Sequence, residues 1–155
     1  MAAAGFERGT YFVPRVVRLG EELAEVIRLA ASTPRHGATA IDDPGIRSAI
    51  ATMAHDARAL RAMADDMLAL AAQNRSPGAE GSVIKLLWSE THQRLLDLVM
   101  EILGAAALYG PGEARAPLQG RLHYQYLWTR AETILAGTSE VMRNIIAERG
   151  LGLPR

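Results

Sequence analysis

The chain has 155 residues, and its 17 Lys plus Arg balance 17 Asp plus Glu, so it carries no formal net charge. Neutrality argues against a nucleic-acid binder resting on a basic field and against a polybasic membrane-surface segment. The absence of cysteine excludes disulfides, thiolate metal sites and cysteine nucleophiles, and 49% hydrophobic with 22% charged residues excludes a disordered chain. The longest apolar run, Ile102 to Gly110, is far below the roughly 20 residues of a membrane helix. No basic region followed by an apolar stretch opens the chain, so no secretory signal is expected and a cytoplasmic location is.

Four long periodic segments follow one another. The first runs from about Phe6 to Ser32 and carries two stripes. One reads Phe6, Thr10, Val13, Val17, Gly20, Ala24, Ile27, Ala31; the other reads Phe12, Val16, Leu19, Leu23, Val26, Ala30. Alternating steps of three and four keep each stripe on one helical face, and two stripes predict neighbours on two sides. Arg8, Arg15, Arg18, Glu22 and Glu25 form the polar face, and Pro14 predicts a kink or restart. After a connection over Gly37 to Asp42, Asp43 and Pro44 predict an N-cap and a first helical residue. Ile46, Ile50, Met53, Ala57, Leu60, Ala64, Met67 and Ala71 then form the stripe of the second helix.

A turn over Asn74 to Gly78 precedes the third segment, Ser82 to Tyr109, whose inward row is Ile84, Leu87, Thr91, Leu95, Leu98, Ile102 and Ala105. Gly110 to Gly120 is a loop. The last segment, Arg121 to Gly150, is broken at Gly137-Thr138-Ser139, where Gly137 can end one helix and Thr138 or Ser139 can cap the next. Four helices with short connections predict an all-α fold, an antiparallel four-helix bundle with its last helix broken near Gly137.

Residue chemistry alone identifies no enzyme. The chain has no phosphate-binding glycine loop, no Glu-x-x-His pair and no His-Glu-x-x-His. His36, His55, His92 and His123 lie on separate elements and read as surface or ordinary polar positions, with no metal site expected. Met53, Met63 and Met67 read as core filler, Trp88 and Trp128 as core or interface, and Asp65-Asp66 and Glu21-Glu22 as solvated faces.

The run Ala136-Gly137-Thr138-Ser139-Glu140-Val141-Met142-Arg143-Asn144-Ile145-Ile146-Ala147-Glu148-Arg149 closely resembles the end of the acyl-CoA dehydrogenase family. Lys85 to Gly104 resembles that family's third C-terminal helix, and Thr33 to Pro44 resembles the connection after the first, with His36-Gly37 replacing a phenylalanine-glycine pair. The resemblance covers residues 1–155 as a single C-terminal helical domain, without the family's N-terminal helical and middle β-domains.

The resemblance implies α,β-dehydrogenation of an acyl-CoA thioester with FAD as cofactor and an electron-transferring flavoprotein or similar acceptor. It implies a homo-oligomer, dimer or tetramer, and an isolated chain that is helical, colourless and without turnover. The alternative is a non-catalytic subunit or helical interaction module of a hetero-oligomeric acyl-CoA dehydrogenase. Gly137, Thr138 and Glu140 match flavin-side positions, and Arg143 matches an arginine that supports the fold or lies near the cofactor. Arg35, two residues after Thr33, lies near the place of an arginine that contacts the FAD pyrophosphate. Glu101 stands where a cofactor-binding glutamine is usual, and Gly104 is followed by Ala105 in place of a second glycine. The family's catalytic glutamate often immediately precedes the Gly-Thr-Ser run, where this chain has Ala136. In other branches that position is small and the base lies in an apolar-Glu-Arg motif on the first helix, here Phe6-Glu7-Arg8. The resemblance therefore implies Glu7 as the base, facing Ala136.

Overall fold

The computed structural model describes residues 3–75 and 78–154, with side chains from Tyr11 onward. Five α-helices lie within these residues: α1 (Ala3–Ser32), α2 (Pro44–Ala72), α3 (Glu80–Leu103), α4 (Arg121–Glu132) and α5 (Ser139–Ile145). Named contacts fix their directions. Phe12 of α1 meets Trp88 near the start of α3, and Arg35, just past α1, reaches Glu101 near its end, so α1 and α3 run the same way. His123 bonds Ala107 just beyond α3, while Glu132 bonds His92, so α4 runs back along α3. The start of α2 lies beside Arg35 through Asp43, so α2 is antiparallel to both. This is the up-and-down bundle that the periodicity predicts.

The core joins Phe12, Val16, Leu19, Leu23, Val26 and Ala30 of α1 to the predicted stripes of α2 and α3. Asp43 caps α2, its Oδ1 accepting from the amides of Gly45 at 2.8 Å and Ile46 at 3.3 Å, with Pro44 at the first helical position. Between α1 and α2 the chain forms a two-residue hairpin, β1 (Pro34–Arg35) and β2 (Ala38–Thr39), in place of a plain connection. Its turn residues, His36 and Gly37, both have positive φ, as tight hairpins require.

Four expectations are corrected. The helix α1 passes through Pro14 without interruption. Its other stripe is not buried: Val17 and Ile27 are 40% and 39% exposed, because α2 and α3 cover only one side. The third helix ends at Leu103 rather than Tyr109, since Gly104 has φ 54 and ψ −129 and turns the chain into a short 3-10 segment. The fourth helix stops at Glu132, five residues before Gly137, and residues 133–138 form a bend.

Candidate functional site

The bend between α4 and α5 is built by two successive left-handed residues, Ala136 (φ 58) and Gly137 (φ 108). A Cβ at residue 137 would stand 2.4 Å from the terminal methyl of Met142, which would have to move, and the backbone angle itself favours glycine there. The Thr138 hydroxyl accepts from the Val141 amide at 3.3 Å and caps α5. Lys85, fully buried on α3, donates from Nζ to the Gly137 carbonyl at 2.7 Å and pins the bend to the bundle. Burial lowers the Lys85 pKa, opposed by the nearby charges of Glu90, Glu132 and Glu140. The Glu140 carboxyl is held below its ordinary range by its own backbone amide and by Thr138. Arg143 pairs with Glu90 at 2.6 Å and ties α5 to α3, which is a fold-supporting contact.

Thr138, Ser139, Glu140 and Arg143 line one open cleft with Gln93 and Arg94. Among the described residues the buried Ser139 Oγ has no hydrogen-bond partner. Arg35, Glu101 and Gly104 gather elsewhere. Arg35 donates to the Glu101 carbonyl at 3.2 Å, lies 3.6 Å from the Glu101 carboxylate and 3.4 Å from Asp43 Oδ2. Lys85 and Glu101 are separated along α3 by about 24 Å of helix rise. The site residues therefore form two groups, and one chain does not bring the groups together.

Glu7 belongs to the first turns of α1, where side chains lie outside the described residues. The positions that follow it are informative. Tyr11, one turn later, and Phe12 line a cleft of about 310 Å³ together with Arg15, Trp88, Trp128, Leu135 and Ala136. The start of α1 is thus brought to the bend across the width of the bundle.

A further cluster has no counterpart in the sequence reading. His92 is 7% exposed and sits between two carboxylates, with Nδ1 2.7 Å from Glu132 Oε2 and Nε2 3.0 Å from Glu22 Oε2. The second contact is a close charge pair whose alignment falls short of a hydrogen bond. Burial alone would lower the His92 pKa, but its close contacts with the carboxylates of Glu132 and Glu22 raise it from 6.5 to about 9. Burial pushes the Glu22 carboxyl up, and His92 and Arg18 more than reverse this, leaving it below its ordinary value. His92 is therefore an imidazolium at neutral pH. It is not an ordinary surface polar residue, and Glu22 is not on a solvated face. The signal was present: Glu22 sits between Leu19 and Val26, and His92 between Trp88 and Leu95, at inward spacings of three and four.

Comparison with known proteins agrees with this geometry. Residues 1–151 match the family model described as acyl-CoA dehydrogenase, C-terminal domain. The acyl-CoA dehydrogenase IpdE1 of Mycobacterium tuberculosis is 38% identical over 155 residues, covering 100% of this chain and 37% of that protein. The acyl-CoA dehydrogenase IpdE1 of Mycolicibacterium smegmatis is 36% identical, again over 100% of this chain and 36% of its own length. The chain therefore spans little more than a third of these relatives. Among solved structures, the ChsE4-ChsE5 complex from Mycobacterium tuberculosis aligns with a TM-score of 0.75 at 31% identity, over 88% of this chain and 36% of that one. A variant of the Tcur3481-Tcur3483 steroid ACAD aligns with a TM-score of 0.81 at 23% identity, over 97% of this chain and 39% of that one, which speaks to the fold. The chain belongs to the acyl-CoA dehydrogenase family, whose C-terminal helical domain it forms.

Proposed function

We propose that this chain supplies the base and one wall of the active site in an FAD-dependent acyl-CoA dehydrogenase. A thioester α-proton is a poor acid in water, so its removal needs a positioned carboxylate in a dry pocket. Glu7 takes that proton. Ala136 gives the room that a glutamate would otherwise fill, and the buried aromatic side chains of Phe12 and Trp88 exclude water on one side. FAD, when bound, accepts the hydride from the β-carbon. Gly137, Thr138 and Glu140 hold the flavin side. The observation that carries the reading is the shared cleft of Tyr11, Phe12 and Ala136, which sets the helix turn after Glu7 against the bend.

In the intact flavin-loaded enzyme, Glu7→Gln abolishes turnover and leaves flavin and acyl-CoA binding nearly unchanged. A fully active Glu7→Gln enzyme would sink the assignment. The exposed stripe of Val17 and Ile27, with Leu127 and Leu135 also open, supports self-association through apolar contacts. Light scattering at 16.7 kDa across a wide concentration range would refute it.

A second reading, a subunit paired with a different chain, is favoured by Arg35. Its guanidinium already faces Asp43 and Glu101, and a pyrophosphate placed there would meet two carboxylates. Native mass spectrometry of the purified flavoenzyme decides between one kind of chain and two.

A further inference from the structure

The guanidinium of Arg15 lies on an aromatic bed. Its central carbon is 4.5 Å from the Tyr11 ring centre, 5.2 Å from Trp88 and 5.6 Å from Phe12. Nη2 donates to the Tyr11 hydroxyl at 2.8 Å. Among the described residues no carboxylate pairs with it. Aromatic faces attract a cation but accept little from its edge, so the described residues leave most of the N–H donors of Arg15 unspent. Phe12 and Trp88 are 2% and 4% exposed while Tyr11 is 57% exposed, so one side of the charge rests on dry surface, where an ionic contact is stronger than in water.

The carboxylates nearby are committed elsewhere. Glu132 is bonded to His92, and Glu22 faces both His92 and Arg18. Among the described side chains lining these two clefts, the cations Arg15, Arg18 and the charged His92 outnumber the carboxylates Glu22 and Glu132 by one, and Glu7, the proposed base, is a further carboxylate given to the reaction. Among the described residues, Arg15 is the member without a carboxylate partner. It also stands in a definite place. Helical positions 7, 11 and 15 follow one row of α1, so Arg15 lies about 12 Å along the helix from Glu7. An acyl group held at Ala136 for reaction passes Tyr11 and Phe12 before it meets Arg15.

We propose that this cleft takes acyl-CoA thioesters whose acyl group ends in a carboxylate, and that Arg15 receives that carboxylate. The inference rests on the acyl-CoA dehydrogenase reading above. The flat fork of a guanidinium matches the two oxygens of a carboxylate, and the aromatic walls suit the apolar stretch between carboxylate and thioester. Arg15 is a specificity residue and takes no part in bond breaking.

The test uses the flavin-loaded enzyme that contains this chain and two acyl-CoA thioesters of equal length, one ending in methyl and one in carboxylate. The parent enzyme favours the carboxylate thioester by tenfold or more in kcat/KM. Arg15→Met lowers kcat/KM for the carboxylate thioester by about 100-fold, as loss of one desolvated charge contact does, and changes the methyl thioester by less than about threefold. Arg15→Lys, which keeps the charge and loses the fork, restores part of the loss and serves as the deciding variant if the Met protein fails to retain flavin. Equal losses on both thioesters would mean that Arg15 holds the CoA half common to both, and the inference would fall. Turnover of the methyl thioester without preference for the carboxylate overturns it while leaving the dehydrogenase reading intact. No turnover of either overturns both.

Discussion

Two cations in this chain are each held between two carboxylates, His92 between Glu22 and Glu132, and Arg35 between Asp43 and Glu101. The side chains of the first set are about a tenth exposed or less, 9%, 11% and 8%; those of the second are 26%, 33% and 57% exposed. The same arrangement therefore has different consequences. Inside the bundle the three charges cannot exchange one another for water, so each depends on the others and the proton on His92 is bound tightly. At the rim, water and salt compete for Arg35, and the pairs are weak and replaceable. A ligand that offers two negative oxygens can compete for Arg35, whereas the small exposed part of His92 is already flanked by two carboxylates.

The largest effect comes from breaking the buried set. His92→Ala leaves Glu132 buried without its partner and Glu22 with only the exposed Arg18, and should lower unfolding stability by about 3–5 kcal/mol. Urea unfolding at pH 6 checks this, and a loss under about 1 kcal/mol would mean that water enters the cluster freely.

A pH series sharpens the same point. The folded-state pKa of His92 is raised from 6.5 to about 9, so the folded chain binds more protons than the unfolded chain between those values. The stability due to His92 is fully present below about pH 6.5 and is lost as pH rises through 9. Its size follows from the shift and is on the order of 3 kcal/mol. Urea midpoints from pH 6 to pH 9.5 should fall steadily, and the His92→Ala variant should lose most of that slope. A flat profile in the parent chain contradicts the buried pairing.

The cap of α5 comes next. Thr138→Ala removes the acceptor for the Val141 amide and should cost about 1 kcal/mol. Because Thr138 also lies in the flavin-side cleft, loss of flavin from the assembled enzyme beyond that stability change would separate its binding role from its capping role.

The smallest effect is at the rim. Glu101→Gln removes one partner of Arg35 and should change stability by less than about 1 kcal/mol, with no difference between parent and variant at 1 M salt. If a flavin pyrophosphate approaches Arg35, the same variant retains flavin several-fold better than the parent. Unchanged flavin retention would mean that Arg35 serves the fold alone.

The positions of the helices were legible because spacing encodes them. The rows of α2 and α3, the cap at Asp43 and the bend at Gly137 all depend on residues close in sequence, where the 3.6-residue period and backbone angles act directly. The site was legible in its parts: Gly137, Thr138, Glu140, Arg35, Glu101 and Gly104 each stand in motifs read from the chain. Their division into two groups was not, because it depends on which end of α3 each loop meets. Ala136 and Tyr11 are separated by 125 positions in the chain and still share a cleft.

Composition, charge balance and period by themselves determined a cysteine-free helical bundle, since they set which faces must leave water and where the backbone must turn. Only the packing of α1, α3 and α4 decided that His92 would be a buried imidazolium and that Arg15 would lie on aromatic rings. A polar residue in an apolar row has no assigned partner until three helices come together, and burial, which decides its charge state and strength, does not exist before then.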